Sequence, residues 1–148
     1  MKPEYVYHGS QSLFETLIPY QAKDNTEMGS QFAIYACEHF NYVIPFALPI
    51  RWYPDNPSGK RDYKCNNGIT VIEYGSLNPN GFGYVYKLKS DNFEKIDSWQ
   101  WISRVEVMPV EIIKIMVKDY WHTITFSSEA SRINELLYSS KEVLSMDE

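Results

Sequence analysis

The sequence predicts an α+β domain, and three observations carry that prediction. Short stretches rich in β-branched and aromatic residues recur along the chain, turn signals separate them, and one amphipathic helical pattern stands out late in the sequence. Helical signal is weaker in the first half.

Taken in order, strands are expected at Tyr5 to His8, Phe32 to Cys37, Ile69 to Tyr74, Tyr84 to Leu88, Trp99 to Val107, Glu111 to Val117 and His122 to Phe126. Asn66-Asn67-Gly68, Asn78-Pro79-Asn80-Gly81 and Met108-Pro109 supply turns. A short helix is expected between Ser10 and Leu17, and another within Glu38 to Leu48, where Pro45 should kink or restart it. The strongest helix is Ser128 to Leu144: Ser127 or Ser128 can cap its start, Glu129 suits the first turn, and Ile133, Leu136, Leu137, Val143 and Leu144 recur at roughly helical spacing. Its apolar face should dock on the sheet as packing, without chemistry. Arg51 to Gly68, broken by Pro and Gly and carrying the polar run Lys60-Arg61-Asp62-Tyr63-Lys64, reads as a long loop. No internal repeat is present, so one domain is expected over 1–148.

Composition narrows the function. The 44% hydrophobic and 22% charged residues are those of a globular chain able to bury a core. An aromatic share of 16%, with twelve Tyr and four Trp, suits a β-rich core or a cleft that stacks a planar group. A formal charge of −5 with 14 Lys plus Arg argues against a nucleic-acid binder, which needs a basic face. Two cysteines make no disulfide framework, the N-terminal residues lack the apolar stretch of a signal peptide, and the longest apolar run, Tyr42 to Ile50, contains Pro45 and Pro49. These features lead us to expect a cytoplasmic protein with no membrane segment.

Several catalytic signatures are missing: GxxxxGK[ST], a Rossmann glycine turn, GxSxG and HExxH. Gly81-Phe82-Gly83 leads into a strand where a phosphate loop leads into a helix, so it is read as a hairpin turn. His8, His39, His122, Cys37 and Cys65 show none of the close spacings of a metal site, and no metal is expected. What remains is Tyr5-Val6-Tyr7-His8-Gly9-Ser10, an apolar strand ending in His-Gly-Ser. Such an end exposes an imidazole, and glycine lets the backbone approach a ligand closely.

A second element follows: the strand Phe32-Ala33-Ile34-Tyr35-Ala36-Cys37, then Asn41-Tyr42-Val43-Ile44-Pro45-Phe46-Ala47 on a helix. In order and spacing the two resemble the His-Gly-Ser/Thr strand and the Tyr strand of the His-Tyr-Glu branch of ADP-ribosyltransferases, which includes diphtheria toxin and the poly(ADP-ribose) polymerases. The resemblance spans roughly Tyr5 to Val117. It implies split antiparallel β-sheets flanked by a few short helices and a C-terminal helix, with NAD as substrate in the cleft between the sheet halves. By motif position, His8 would hold a ribose of NAD and Gly9 the nicotinamide carboxamide through its backbone. Ser10 completes that strand's cofactor-binding set, and Tyr35 and Phe46 would bracket the cationic ring.

The family's third element is a Glu opening a late strand. Here the matching stretch is Asp97-Ser98-Trp99-Gln100-Trp101-Ile102-Ser103, which puts Gln100 at the Glu position. That Glu stabilises positive charge growing on the sugar, and losing such help typically costs on the order of 100-fold to 1000-fold in rate. Glu106 is the nearest carboxylate further on, about 20 Å away along an extended strand, so Gln100 is the preferred equivalent. On the helix, Val43 stands where the family often has a hydroxyl that touches the carboxamide. The resemblance therefore implies an NAD-dependent mono-ADP-ribosyltransferase acting on a protein or other acceptor, with His8, Tyr35 and Gln100 at the reacting end; the alternative is a non-catalytic nucleotide- or protein-binding module of the same fold.

Overall fold

The computed structural model describes residues 2–21, 31–52, 63–66 and 68–138. Among these residues, twelve strands and two α-helices run β1 Tyr5–Ser10, β2 Tyr20–Gln21, β3 Phe32–Cys37, α1 Phe40–Ala47, β4 Arg51–Trp52, β5 Tyr63–Asn66, β6 Ile69–Ile72, β7 Gly75–Ser76, β8 Phe82–Lys89, β9 Phe93–Lys95, β10 Gln100–Ser103, β11 Glu111–Met116, β12 Ile124–Phe126 and α2 Ser128–Tyr138. A 3-10 helix, Val117–Thr123, sits between β11 and β12.

The main sheet has the order β11-β8-β1-β3-β10-β9, with β2 also paired to β3, and every pairing in it is antiparallel. Smaller sheets are β12-β6-β5, where β12 runs parallel to β6, and β4-β7. The architecture is thus α+β, mostly antiparallel sheet with a few short helices. Strand alternation gives the main sheet two apolar faces. On one, Cys37 and Val85 pack with Val43, Ile44 and Ala47 of α1, with Leu48 just after it, and with Ile72, Leu77, Val117 and Ala130 beyond. On the other, Val6, Ile34, Ala36, Tyr86, Leu88, Phe93 and Trp101 cluster around Leu17.

Helix α1 lies unusually close to the sheet. A Cβ added to Gly9 would overlap Val43 O, and one added to Gly83 would overlap Ala47 O. Val43 and Ala47 are one helical turn apart, so a single edge of α1 rests its carbonyls on the two glycine strands. Pro45 does not break the helix, which runs through it to Ala47 and closes with Leu48 N–H on Pro45 O at 3.4 Å. The carbonyl that proline leaves without a helical donor is that of Asn41. It lies against Gly68, whose φ of +88° and missing Cβ make room for it.

Several expectations need correction. No helix forms between Ser10 and Leu17. There the Tyr86 hydroxyl takes the backbone, accepting from Phe14 N–H at 2.7 Å and donating to Ser12 O at 2.6 Å, while Leu17 exchanges backbone bonds with Val107. The strand expected to run to Val107 stops at Ser103, whose hydroxyl turns the chain by donating to Val105 O at 2.8 Å and accepting from Val105 N–H at 3.2 Å. His122 belongs to the 3-10 helix, which Thr123 Oγ1 closes on Tyr120 O at 2.7 Å. Both described ends of the expected Arg51 to Gly68 loop are strands, β4 and the sheet-edge strand β5, and 53–62 lie outside the described residues. Pairing with β7 and β6 draws these ends into sheet despite their weak local signal.

The Asn78–Gly81 turn is present, with Gly81 N–H on Asn78 O at 2.9 Å, but it is not a hairpin: it carries the chain from β7, paired with β4, into β8 of the main sheet. Helix α2 is capped by Ser127, whose Oγ accepts from Ala130 N–H at 3.1 Å and donates to Glu73 O at 2.6 Å. Its expected continuation, 139–144, lies outside the described residues. Among the described residues no helix is long and apolar enough to cross a membrane.

Candidate functional site

The two central strands of the main sheet, β1 and β3, are the strands that carry His8 and Tyr35. They meet in a single registered pair, Tyr7 opposite Cys37. Beyond it β1 continues along β8, with His8 opposite Tyr86, Gly9 opposite Val85 and Ser10 opposite Tyr84. The sheet is therefore split between its halves next to His8 and Gly9.

The His8 side chain spans that split. Its Nδ1 lies 2.6 Å from Tyr35 O. A carbonyl oxygen only accepts, so Nδ1 carries the proton and Nε2 is left as an acceptor. His8 is not an exposed strand end as expected, since β1 runs on to Ser10 and the residue is 8% exposed. Burial pushes its pKa below the ordinary histidine range, partly opposed by the Tyr35 carbonyl, and the ring is neutral at pH 7. Two tyrosines wall it: Tyr20 edge-on with centroids 6.4 Å apart, and Tyr86 tilted at 6.1 Å. Burial raises the Tyr20 phenol, with a further contribution from Tyr35 nearby. Tyr35 is half-buried, its hydroxyl accepting from Gln31 N–H at 2.7 Å.

Gly9 does leave room for a close approach, but on its Cα side α1 fills the space, with Phe46 Cβ 3.1 Å from where a Cβ would sit. Gly9 and Phe46 are thereby brought together, and Phe46 remains 41% exposed. The side of Gly9 left for a ligand is its in-plane edge toward β3. Ser10 Oγ accepts from Ser12 N–H at 3.1 Å, which fixes the turn out of β1 and leaves the hydroxyl proton for another acceptor.

Gln100 opens β10, beside β3, and is opposite Cys37, which is itself opposite Tyr7. It thus sits two strand spacings, about 10 Å, from β1. Asp97 shapes this strand start: its Oδ1 accepts from Trp99 N–H at 2.9 Å and Gln100 N–H at 2.7 Å, and its Oδ2 from Gln100 Nε2 at 2.8 Å. A carboxylate cannot donate to the amide, so Gln100 Oε1 is the end that faces away from Asp97. Glu106 lies past the turn at Ser103 and is exposed.

Sequence reasoning misses Tyr20 and Tyr86 as neighbours of His8. Tyr20 occupies a two-residue strand without periodic signal, and Tyr86 looks like any other strand residue. What these features define is an α+β protein with a split central sheet, where His8 meets the Tyr20 and Tyr86 rings and the Tyr35 carbonyl, while Gln100 opens β10 two strands away from β1 on the face it shares with Tyr7 and Cys37. No family model matches the chain, and neither a curated protein nor a solved structure matches it.

Proposed function

We propose that this chain is an NAD-dependent mono-ADP-ribosyltransferase of the His-Tyr-Glu type with Gln100 at the Glu position. The observation that carries the reading is the His8 to Tyr35 hydrogen bond, which joins two short motifs distant in sequence across a split between adjacent central strands. The split antiparallel sheet, the short helix after the Tyr strand and the start of β10 at Gln100 support the same reading.

In this account His8 Nε2 accepts a hydrogen bond from a ribose hydroxyl, and Ser10 offers its hydroxyl to a dinucleotide oxygen. The backbone edge of Gly9 toward β3 pairs with the nicotinamide carboxamide, while Tyr35 and Phe46 bracket the cationic ring. Gln100 Oε1 accepts from a hydroxyl of the nicotinamide ribose. The bond from C1′ to the nicotinamide nitrogen breaks, its electron pair neutralises the pyridinium, and a nucleophile of a protein or other acceptor takes C1′ while losing its proton. NAD is a substrate here, and the acidic balance of the chain disfavours nucleic acid as acceptor.

The neutral side chain at Gln100 favours a second reading, a non-catalytic nucleotide- or protein-binding module with the same cleft. Thermal unfolding with NAD, together with nicotinamide release, separates the two. Release that disappears in His8→Ala and Tyr35→Ala supports the transferase; stabilisation without release supports the binding module. Absence of both stabilisation and release at millimolar NAD overturns the transferase and the NAD-binding form of the module, and leaves only a module that binds protein.

A further inference from the structure

The site's missing carboxylate has a neighbour that supplies one. We infer that Asp97 is a positioning residue that fixes the Gln100 amide and carries the negative charge of the site, one hydrogen bond behind position 100. This rests on the reading of Gln100 as the ribose-facing residue.

Three bonds support it. Asp97 Oδ1 takes the backbone N–H groups of Trp99 and Gln100 at 2.9 and 2.7 Å, which anchors the carboxylate to the start of β10. Its second oxygen, Oδ2, is left for the Gln100 side chain and meets Nε2 at 2.8 Å. An asparagine in place of Asp97 could serve the backbone equally well through its amide oxygen; what it could not do is present a second acceptor to Nε2. The carboxylate therefore does something that the turn alone does not require: it forbids the amide flip and leaves Oε1 as a pure acceptor. A charge-assisted bond to Nε2 also polarises the amide, raising electron density on Oε1. Both effects favour a hydroxyl on a sugar that becomes positive. Exchanging the two functional groups, amide for carboxylate at each position, would leave the charge and the number of amides unchanged, so the family's carboxylate is displaced rather than lost.

Gln100→Glu alone sets two carboxylates at hydrogen-bond distance, where they share a proton and one of them titrates above the ordinary carboxylate range. The gain from a glutamate at position 100 then appears only with Asp97→Asn beside it, where the new asparagine amide donates to the new carboxylate.

The test compares wild type, D97N, Q100E and D97N/Q100E, with circular dichroism checking that each is folded. Carboxyl titration by carbon-13 NMR in the absence of NAD is expected to show a raised carboxyl pKa in Q100E and none in D97N/Q100E; two identical titrations overturn the pairing. For NAD, D97N is expected to lower kcat for nicotinamide release on the order of 10-fold, less than the full loss of such a group, with KM changed less than about 2-fold. D97N/Q100E is expected to restore kcat. Should wild type bind NAD without cleaving it, the same comparison is read in Kd. A D97N indistinguishable from wild type, or a double variant no better than D97N, overturns the charge-carrying role. Absence of any NAD binding by wild type overturns the functional reading instead, and the NMR titration still judges the pairing on its own.

Discussion

Replacing Gly9 with Ala tests how the helix is seated over the candidate site. The added Cβ would overlap Val43 O and would lie 3.1 Å from Phe46 Cβ and 3.2 Å from Ala47 N. Cβ atoms essentially never come within 3.0 Å of such neighbours, and the obstructing Val43 and Ala47 atoms are backbone, which cannot rotate away. Helix α1 must therefore lift from β1 by on the order of 1 Å, an overpacking defect that costs about 1 to 3 kcal/mol. For a chain of this size each kcal/mol lowers Tm by roughly 2 to 4 °C, which gives a fall of about 2 to 12 °C. Differential scanning calorimetry reads it directly. Gly83→Ala, where a Cβ would overlap Ala47 O and lie 2.7 Å from Ala47 C, is expected to cost at least as much. A Gly9→Ala protein that melts within about 1 °C of wild type, below the smallest fall expected, with Phe46 chemical shifts unchanged, would refute the close seating of α1 on which the position of Phe46 depends.

Two further outcomes follow from the residues around His8. Because burial lowers the His8 pKa in the folded state, the unfolded chain binds more protons below about pH 6.5. Its contribution to stability is complete above that pH and declines as pH falls toward the folded pKa; Tm measured from pH 8 to 5 should fall on the acid side, and His8→Gln should flatten part of that fall. Tyr86→Phe removes the hydroxyl that satisfies Phe14 N–H and Ser12 O, at a cost of about 1 to 3 kcal/mol. Hydrogen exchange at the Phe14 amide should accelerate in that variant, and unchanged protection there would mean that the segment after β1 is held by other contacts.

Much of this fold is legible locally. Phe32 to Cys37 reads as a strand from its own apolar residues and is one, residue for residue. The Ser127 cap and the Asn78 turn are likewise written in adjacent residues. Some failures are local, as where Ser103 turns the chain through Val105 and Thr123 closes a 3-10 helix on Tyr120, and others involve partners distant in sequence. Nothing near Ser10 to Leu17 announces that Tyr86, more than 70 residues away, will take the backbone bonds a helix would have used. Short strands such as β2, β7 and β9 owe their state to neighbours, since two or three residues carry no periodicity. At the site, His8, Gly9, Tyr35 and Phe46 stand out by pattern, but the buried setting of His8 and the helix resting on Gly9 do not. The Asp97 grip on Gln100 spans only three residues and is accessible in principle, because Asp commonly bonds the backbone just after it.

The central claim is that the split between β1 and β3 binds the nicotinamide end of NAD, and isothermal titration of NAD into wild type and Tyr35→Ala tests it most directly. The account predicts saturable binding to wild type, weakened on the order of 10-fold in Tyr35→Ala through loss of one ring face, the size of a partly desolvated stacking or cation contact. No heat of binding at millimolar NAD, or equal affinity in the two proteins, would contradict it.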